Sequence, residues 1–337
     1  MKARDELTVG VDLAGTNVRA AVVDGAGRVL GQERHRLLSR EPPQVAEAVV
    51  RASKTACGAA GLPFGEVRAL GLGIAGQVEK GSGVVSIAPA LGWKDVPLQK
   101  LLQARAPRLP LVLASDLAAA AWAERETGAA KEVDDFVVVL VGGTVGVGMV
   151  LSGKLHEGAS GAAGDLGHVK VHAGGRMCGC GQRGCLDAYA SAPSLAAWAR
   201  DDLRIAAAAA RASGKPPTVG RKLLDQAGGD PERITAAAME RAAHEGDELS
   251  NRLLDEAARL LGQAIANLVT VLNPSRILLG GGLITGSPRM RRMVTESLEQ
   301  HLCKTARAAA QIGEPALGDD AAVIGAALLA RQAIAAS

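Results

Sequence analysis

The chain has 337 residues, of which 48% are hydrophobic, 22% charged and only 2% aromatic, with a formal net charge of +3. That profile excludes a disordered chain and predicts a core of Ala, Val, Leu and Ile, large enough for two domains. Scarce rings and the lack of a Lys/Arg block speak against a nucleic-acid reader.

No apolar run approaches the ~20 residues of a membrane-spanning helix, and the charged residues 1–6 lack the character of a signal peptide. Three of the five cysteines fall within eight residues. In a chain without an export signal, such a cluster favours a metal over a disulfide framework, so a cytoplasmic protein is expected.

In chain order, residues 7–12 and 18–24 read as strands around a turn at 13–17, and 28–36 as a third strand. Residues 44–60 have helical spacing, with Val45, Val49 and Ala52 on one face. Residues 67–74 form the next strand, running into Ala75-Gly76. Residues 109–114 form another, ending in Ser115-Asp116 ahead of a helix over 117–125. Strands alternating with helices predict an α/β domain with a largely buried mixed sheet. The pattern then restarts with a strand at 136–141, a glycine turn at 142–148 and a strand at 149–152. This echo of residues 7–24 suggests two similar domains, each offering a glycine turn. Residues 194–272 are expected to be mostly helical, with a break at 214–217 and a long core helix over 248–272. A short strand at 276–279 ends in Gly280-Gly281-Gly282, and an alanine-rich helix over 316–335 closes the chain.

Four stretches carry chemistry. In the turn at 12–17, Gly15 lets backbone N–H groups approach an anion, Thr16 adds a hydroxyl, and Asp12 can hold a cation through water; an ordinary hairpin would use the same residues. Asp116 reads either as a helix N-cap or as a carboxylate that accepts an alcohol proton at the carboxyl end of a strand. His168, Cys178, Cys180 and Cys185 make a Cys₃His set that predicts a closed tetrahedral zinc site. With every position filled by protein no water can react there, so the metal would be structural. Cys57 and Cys303 stand apart and read as small buried hydrophobes. Gly280 to Gly282 would let a flat ring lie against the backbone, or serve as a plain strand-to-helix loop.

Together these residues resemble the ROK family (repressors, open reading frames and kinases), which includes bacterial glucokinases. The likeness runs from Val9 to about Leu329. Its most specific part spans Val141, Gly158, Gly167-His168 and the Cys178-Gly-Cys180-Gly-Gln-Arg-Gly-Cys185 run, and residues 272–282 are close to the family's wording. The resemblance implies an actin-like, hexokinase-like ATPase fold of two similar α/β domains with an interdomain cleft. One would comprise 1–116 with 317–337 and the other 117–316. It implies ATP-dependent phosphorylation of a hydroxyl of a hexose or a related sugar or cyclitol, with Asp116 as general base.

The implied substrate set is Gly76, Ser115, Asp116, Asp165, His168 and Asp187. ATP with Mg²⁺ would be held by Asp12, Gly15, Thr16, Gly143, Thr144, Gly146, Gly281 and Gly282, and structural Zn²⁺ by His168, Cys178, Cys180 and Cys185. A homodimer is implied; no nucleic-acid or membrane partner is. The family's repressors carry an added N-terminal DNA-binding domain, for which a chain reaching its phosphate loop at Asp12 leaves no room. The chain departs from the family pattern at Ser115 and Ala90 (Asn in the family), Asp165 and Asp187 (Glu), and Ala14 and Thr144 (Gly). Most departures fall around the sugar, so a weakly active or inactive sugar-binding sensor of the same fold is the alternative.

Overall fold

The computed structural model describes residues 7–214 and 219–335. The first part of the chain gives β1 (Thr8–Leu13), β2 (Asn17–Val23), β3 (Val29–Arg36), α1 (Pro42–Ala59), β4 (Ala69–Ile74), β5 (Gln77–Val78), β6 (Val85–Ala88), β7 (Trp93–Val96), α2 (Leu98–Gln103), β8 (Leu111–Ser115) and α3 (Asp116–Glu126). There follow β9 (Phe136–Val141), β10 (Val145–Leu151), β11 (Lys154–Leu155), α4 (Asp187–Ala190), α5 (Ala192–Ser213), α6 (Arg221–Gln226), α7 (Ala236–His244) and α8 (Glu248–Leu272). The chain ends with β12 (Arg276–Gly280), α9 (Gly282–Thr285), α10 (Pro288–His301), α11 (Lys304–Ala309), β13 (Gln311–Gly313) and α12 (Ala321–Ala335). Two compact units result: Met1–Val138, Val147–Gly164 and Gly313–Ser337 form one, and Val139–Gly146 and Asp165–Ile312 the other. The expected boundary at 116/117 falls inside the first unit, at the start of α3.

One five-stranded sheet has the order β3-β2-β1-β4-β8 and a second the order β11-β10-β9-β12-β13; β5, β6 and β7 make a small third sheet. In the first sheet β3, β2 and β1 are antiparallel, whereas β1, β4 and β8 run parallel. Burial follows position. Central β4 is buried along its whole length, and edge strand β3 alternates between half-buried and exposed, as a strand with one face on the core must.

With few rings available, the core of the first unit is closed by small residues. A Cβ on Gly10 or Gly71 would stand 1.8 Å from a backbone oxygen of α12, and one on Gly325 of α12 would stand 1.7 Å from the Ala119 carbonyl of α3. Glycine therefore brings α12 backbone-close to both the sheet and α3.

Three expectations need correction. The second glycine turn is shorter than 142–148: the Gly142 N–H donates to the Thr144 carbonyl at 3.0 Å, closing the turn, and β10 starts at Val145. Gly146 and Gly148 are buried strand residues, and Gly148 is glycine because a Cβ there would meet the Leu117 carbonyl at 2.2 Å. The last helix begins at Ala321, not 316. The Glu124 carboxylate accepts the backbone N–H groups of Ala316 (3.1 Å) and Leu317 (2.9 Å), holding that segment out of a helical turn. Finally, Cys57 is buried but Cys303 is exposed, as the residue preceding α11. Helix α8 spans the expected 248–272, capped by Asp247 on the Ser250 N–H and ended by Asn273 at φ 47°. Of the expected break at 214–217, only Gly214 lies within the described residues; it ends α5 in the left-handed conformation. No helix among the described residues is long and apolar enough to cross a membrane.

Candidate active site

The first unit carries two carboxylates at one end of its sheet. Leu13 on β1 is level with Ile74 on β4, and Ile74 with Ser115 on β8. Asp12 and Asp116 therefore sit at the carboxyl ends of parallel strands, two strand spacings or about 10 Å apart along the sheet. Ligands of open α/β sheets collect at that edge.

Asp12 is the penultimate residue of β1, opposite Arg19 on β2. Burial pushes its carboxyl above the ordinary value, opposed mainly by the nearby Arg19 guanidinium. Arg19 is itself anchored to the Asp319 carbonyl (2.7 Å) and the Asp320 carboxylate. Ala14 closes the turn through its N–H to the Asn17 carbonyl at 3.0 Å. A Cβ on Gly15 would meet Ala90 Cβ at 2.5 Å, and one on Gly76 the Ile87 carbonyl at 2.4 Å. Gly15 and Gly76 are thus fixed as glycine by close packing; Thr16 is exposed beside them.

Ser115 and Asp116 divide the work expected of Asp116 alone. Ser115 is the N-cap of α3, its Oγ accepting the Ala118 N–H at 3.1 Å. Asp116 occupies the first helical position, where its Oδ1 accepts the Leu117 N–H at 2.9 Å. A carboxylate there is favoured by the exposed N–H groups and dipole of the helix start.

The second unit gathers the remaining residues. Gly143 and Thr144 are the exposed tip of the 142–144 turn. The next N–H, from Val145, donates to Asp187 Oδ1 at 2.7 Å. Asp187 opens α4, and burial raises its pKa, opposed by that hydrogen bond and His168 and reinforced by Asp165. Gly281, at φ 87°, lies where a Cβ would stand 2.4 Å from the Val141 N–H, and Gly282 opens α9. Asp165 immediately precedes the short 3₁₀ turn Leu166–His168.

The donor atoms of His168, Cys178, Cys180 and Cys185 all lie within 4.8 Å of one another. Cys178 Sγ is 3.8 Å from His168 Nδ1, and Cys180 Sγ is 3.7 Å from Cys185 Sγ. These separations are far too long for a disulfide, but they match the ~3.8 Å edge of a tetrahedron with metal–sulfur bonds of about 2.3 Å. The loop is shaped first by its backbone. Cys178 N–H bonds to the Gln182 carbonyl at 2.8 Å and Val171 N–H to the Gly184 carbonyl at 2.8 Å. Gly184, at φ 77°, sits where a Cβ would be 1.7 Å from the His172 carbonyl. The fold of the loop thus brings the expected donor set together.

Sequence reasoning missed the supporting groups. Lys170 Nζ donates to Cys185 Sγ at 2.9 Å, and Tyr189 Oη accepts the Arg176 N–H at 2.7 Å. No local signal marks either, because each pairing crosses the loop. Arg19 was accessible in principle, since a tight turn at 14–16 places it opposite Asp12.

Two five-stranded sheets, a carboxylate at each of two strand ends and a Cys₃His loop define an actin-like, hexokinase-like α/β fold, the class to which similar solved structures belong. A ROK family glucokinase from Streptomyces griseus, solved with glucose and AMPPNP, is 32% identical; the match covers 97% of this chain and 99% of that one, with a TM-score of 0.77. A ROK hexokinase from Thermus thermophilus is 30% identical, over 98% of this chain and 100% of that one, also with a TM-score of 0.77. A glucokinase of Streptomyces coelicolor is 32% identical over 327 residues, 97% of this chain and 98% of its own. The ROK family profile matches residues 8–333, and the chain belongs to the ROK family.

Proposed function

We propose that this protein is an ATP-dependent kinase that phosphorylates a hydroxyl of a hexose or a related sugar or cyclitol. The observation that carries the reading is the pair Asp12 and Asp116 at the carboxyl ends of β1 and β8 in one sheet, in a chain similar over its full length to glucokinases. Phosphoryl transfer needs little covalent help from protein; positioning and charge stabilisation do most of it. Asp116 accepts the proton of the attacking hydroxyl. The turns at Gly15-Thr16 and Gly143-Thr144 hold the phosphates through backbone N–H groups, Asp12 orders the waters of Mg²⁺, and Gly281 and Gly282 border the adenosine. Mg²⁺ on the nucleotide offsets charge developing on the transferred group.

Asp165, His168 and Asp187 hold the sugar hydroxyls. His168, Cys178, Cys180 and Cys185 suit Zn²⁺ as a structural ion, since soft thiolates with one imidazole fill all four positions of its preferred tetrahedron. The protein's part is to fix the loop whose two ends carry Asp165 and Asp187.

The test is sugar-dependent release of ADP across hexoses, amino sugars and cyclitols. At least one should drive release, and Asp116→Asn should slow it by roughly 10²–10⁴. Sugar binding without any ADP release would replace this reading by the sensor. That alternative has one feature in its favour: the Ser115 hydroxyl is engaged in capping α3, where the family's Asn would offer an amide.

A further inference from the structure

The chain has three Trp, one Tyr and two Phe. Its single tyrosine nevertheless stands with Trp198 and His172 around one open pocket of about 950 Å³ in the second unit. Tyr189 lies 5.0 Å from His172, tilted at 55°, and 5.3 Å from Trp198, edge to face at 83°. The Arg176 guanidinium covers Trp198 at 5.2 Å. In a protein whose core is otherwise largely aliphatic, three clustered rings on an accessible pocket are an unusual use of composition.

The facing wall is α8, and several of its charges are already matched. Glu256 receives two hydrogen bonds from Arg259, at 2.8 and 2.9 Å, and lies 3.3 Å from His172 Nε2. Asp255 pairs with Arg289 at 3.1 Å, and Arg252 with Asp202. An anion or a cation drawn to one of these groups would have to break its pair. A neutral ring would not. Apolar C–H faces against aromatic faces, with hydroxyls on the edge meeting amide and carboxylate groups, are the complement this lining offers, and the volume falls in the range of small-molecule sites.

The pocket also touches the Cys₃His loop from behind. Tyr189 Oη accepts the Arg176 N–H, and a Cβ on Gly175 would stand 2.1 Å from that same oxygen. Tyr189 lies two residues after Asp187 on α4. Anything that seats against Tyr189 therefore bears on the loop through direct contact, and on Asp187 through the short helix they share.

We propose that this aromatic pocket is a second ligand site, for a neutral hydroxylated ring such as a pyranose or cyclitol, and that its occupancy tunes the 165–187 segment. Binding here does not depend on the kinase reading; only its effect on turnover does.

The test is ¹⁹F NMR of the full chain labelled with 5-fluorotryptophan, with the Trp198 resonance assigned by Trp198→Phe and, by elimination, by Trp93→Phe and Trp122→Phe. The probes are D-glucose, methyl β-D-glucopyranoside, myo-inositol, tetramethylammonium chloride and inorganic phosphate. The expected result is a saturable shift of the Trp198 resonance with at least one neutral probe, retained in Asp116→Ala. Hydrogen exchange over 186–198 and 248–259 should slow with the same probe, and Trp198→Ala should lose that protection. The proposal falls if no neutral probe moves Trp198, if only tetramethylammonium or phosphate does, or if the resonance shifts with protein concentration alone, which would mean a second copy covers the pocket. Sugar-dependent ADP release with a silent Trp198 would sink this inference and leave the kinase reading standing; a moving Trp198 without ADP release would do the reverse.

Discussion

At the scale of single residues, the cap of α3 falls to Ser115 and leaves the Asp116 carboxylate outside that role. Because Ser115 makes the capping bond, charge can be removed at 116 without uncapping α3. Asp116→Asn should lower turnover by roughly 10²–10⁴ with a confirmed substrate, the usual range for losing a general base. Its melting temperature should stay near that of the parent, and near-parental turnover would leave Asp116 as a helix-start residue only. Asp12 makes a different prediction. Its burial raises the folded-state pKa above the ordinary 3.8, with Arg19 opposing. A carboxylate raised in this way costs the folded state stability at neutral pH. The cost disappears as pH falls through the raised value toward the ordinary one. Asp12→Asn should therefore melt at a higher temperature than the parent at neutral pH, with the gap narrowing on acidification. A variant less stable at neutral pH would show that attraction to Arg19 outweighs burial.

At the scale of elements, the small-residue packing of α12 gives a paired test. Gly325→Ala puts a methyl 1.7 Å from the Ala119 carbonyl, so α12 and α3 must separate. The expected loss is about 1–3 kcal/mol, read from the urea midpoint. Gly58→Ala in the last turn of α1 meets nothing within 4 Å and should instead add a few tenths to about 1 kcal/mol. If both changes were neutral, backbone-close packing would not be what holds α12. The Cys₃His loop makes the other prediction at this scale. Elemental analysis should find one zinc per chain, and Cys180→Ser should lower both melting temperature and sugar affinity, because the loop leads directly into Asp187. A metal-free protein of undiminished stability and affinity would rule out the structural ion.

At the scale of the whole molecule, the proposed substrate site draws on residues far apart in sequence. Asp165 and Asp187 are each one methylene shorter than the glutamates of the resembling pattern, and Ser115 replaces an amide. Asp187 Oδ1 already accepts the Val145 N–H, so its reach toward a sugar is shorter still. Buried polar groups left unpaired discriminate strongly between related substrates. The parent should phosphorylate glucose with a high KM, or prefer a bulkier sugar or a cyclitol. Asp165→Glu, Asp187→Glu and Ser115→Asn together should raise kcat/KM for glucose by about tenfold or more. An unmodified chain that is already an efficient glucokinase would show that the pocket has closed around the shorter side chains.

By itself, the sequence determined the periodic and the covalently local. The strand of 136–141, the helix of 248–272 and the Cys₃His spacing were readable because a short β-branched apolar run, a helical repeat and ligand chemistry are each written within a few turns of chain. What tertiary structure alone decided are the contacts that cross the chain. The start of the last helix was set by Glu124, some 190 residues earlier, whose carboxylate takes up the Ala316 and Leu317 N–H groups. Gly148, which reads as part of the second glycine turn, is a strand residue held as glycine by the approach of the Leu117 carbonyl of α3. The Cys303 thiol, apolar by composition, is exposed because it ends a loop on which nothing packs over it. The aromatic pocket, too, exists only once α4, α5 and α8 bring Tyr189, Trp198 and Glu256 to one place. Hydrogen bonds and steric exclusion act over a few ångströms, and only the fold decides which distant residues come within that range.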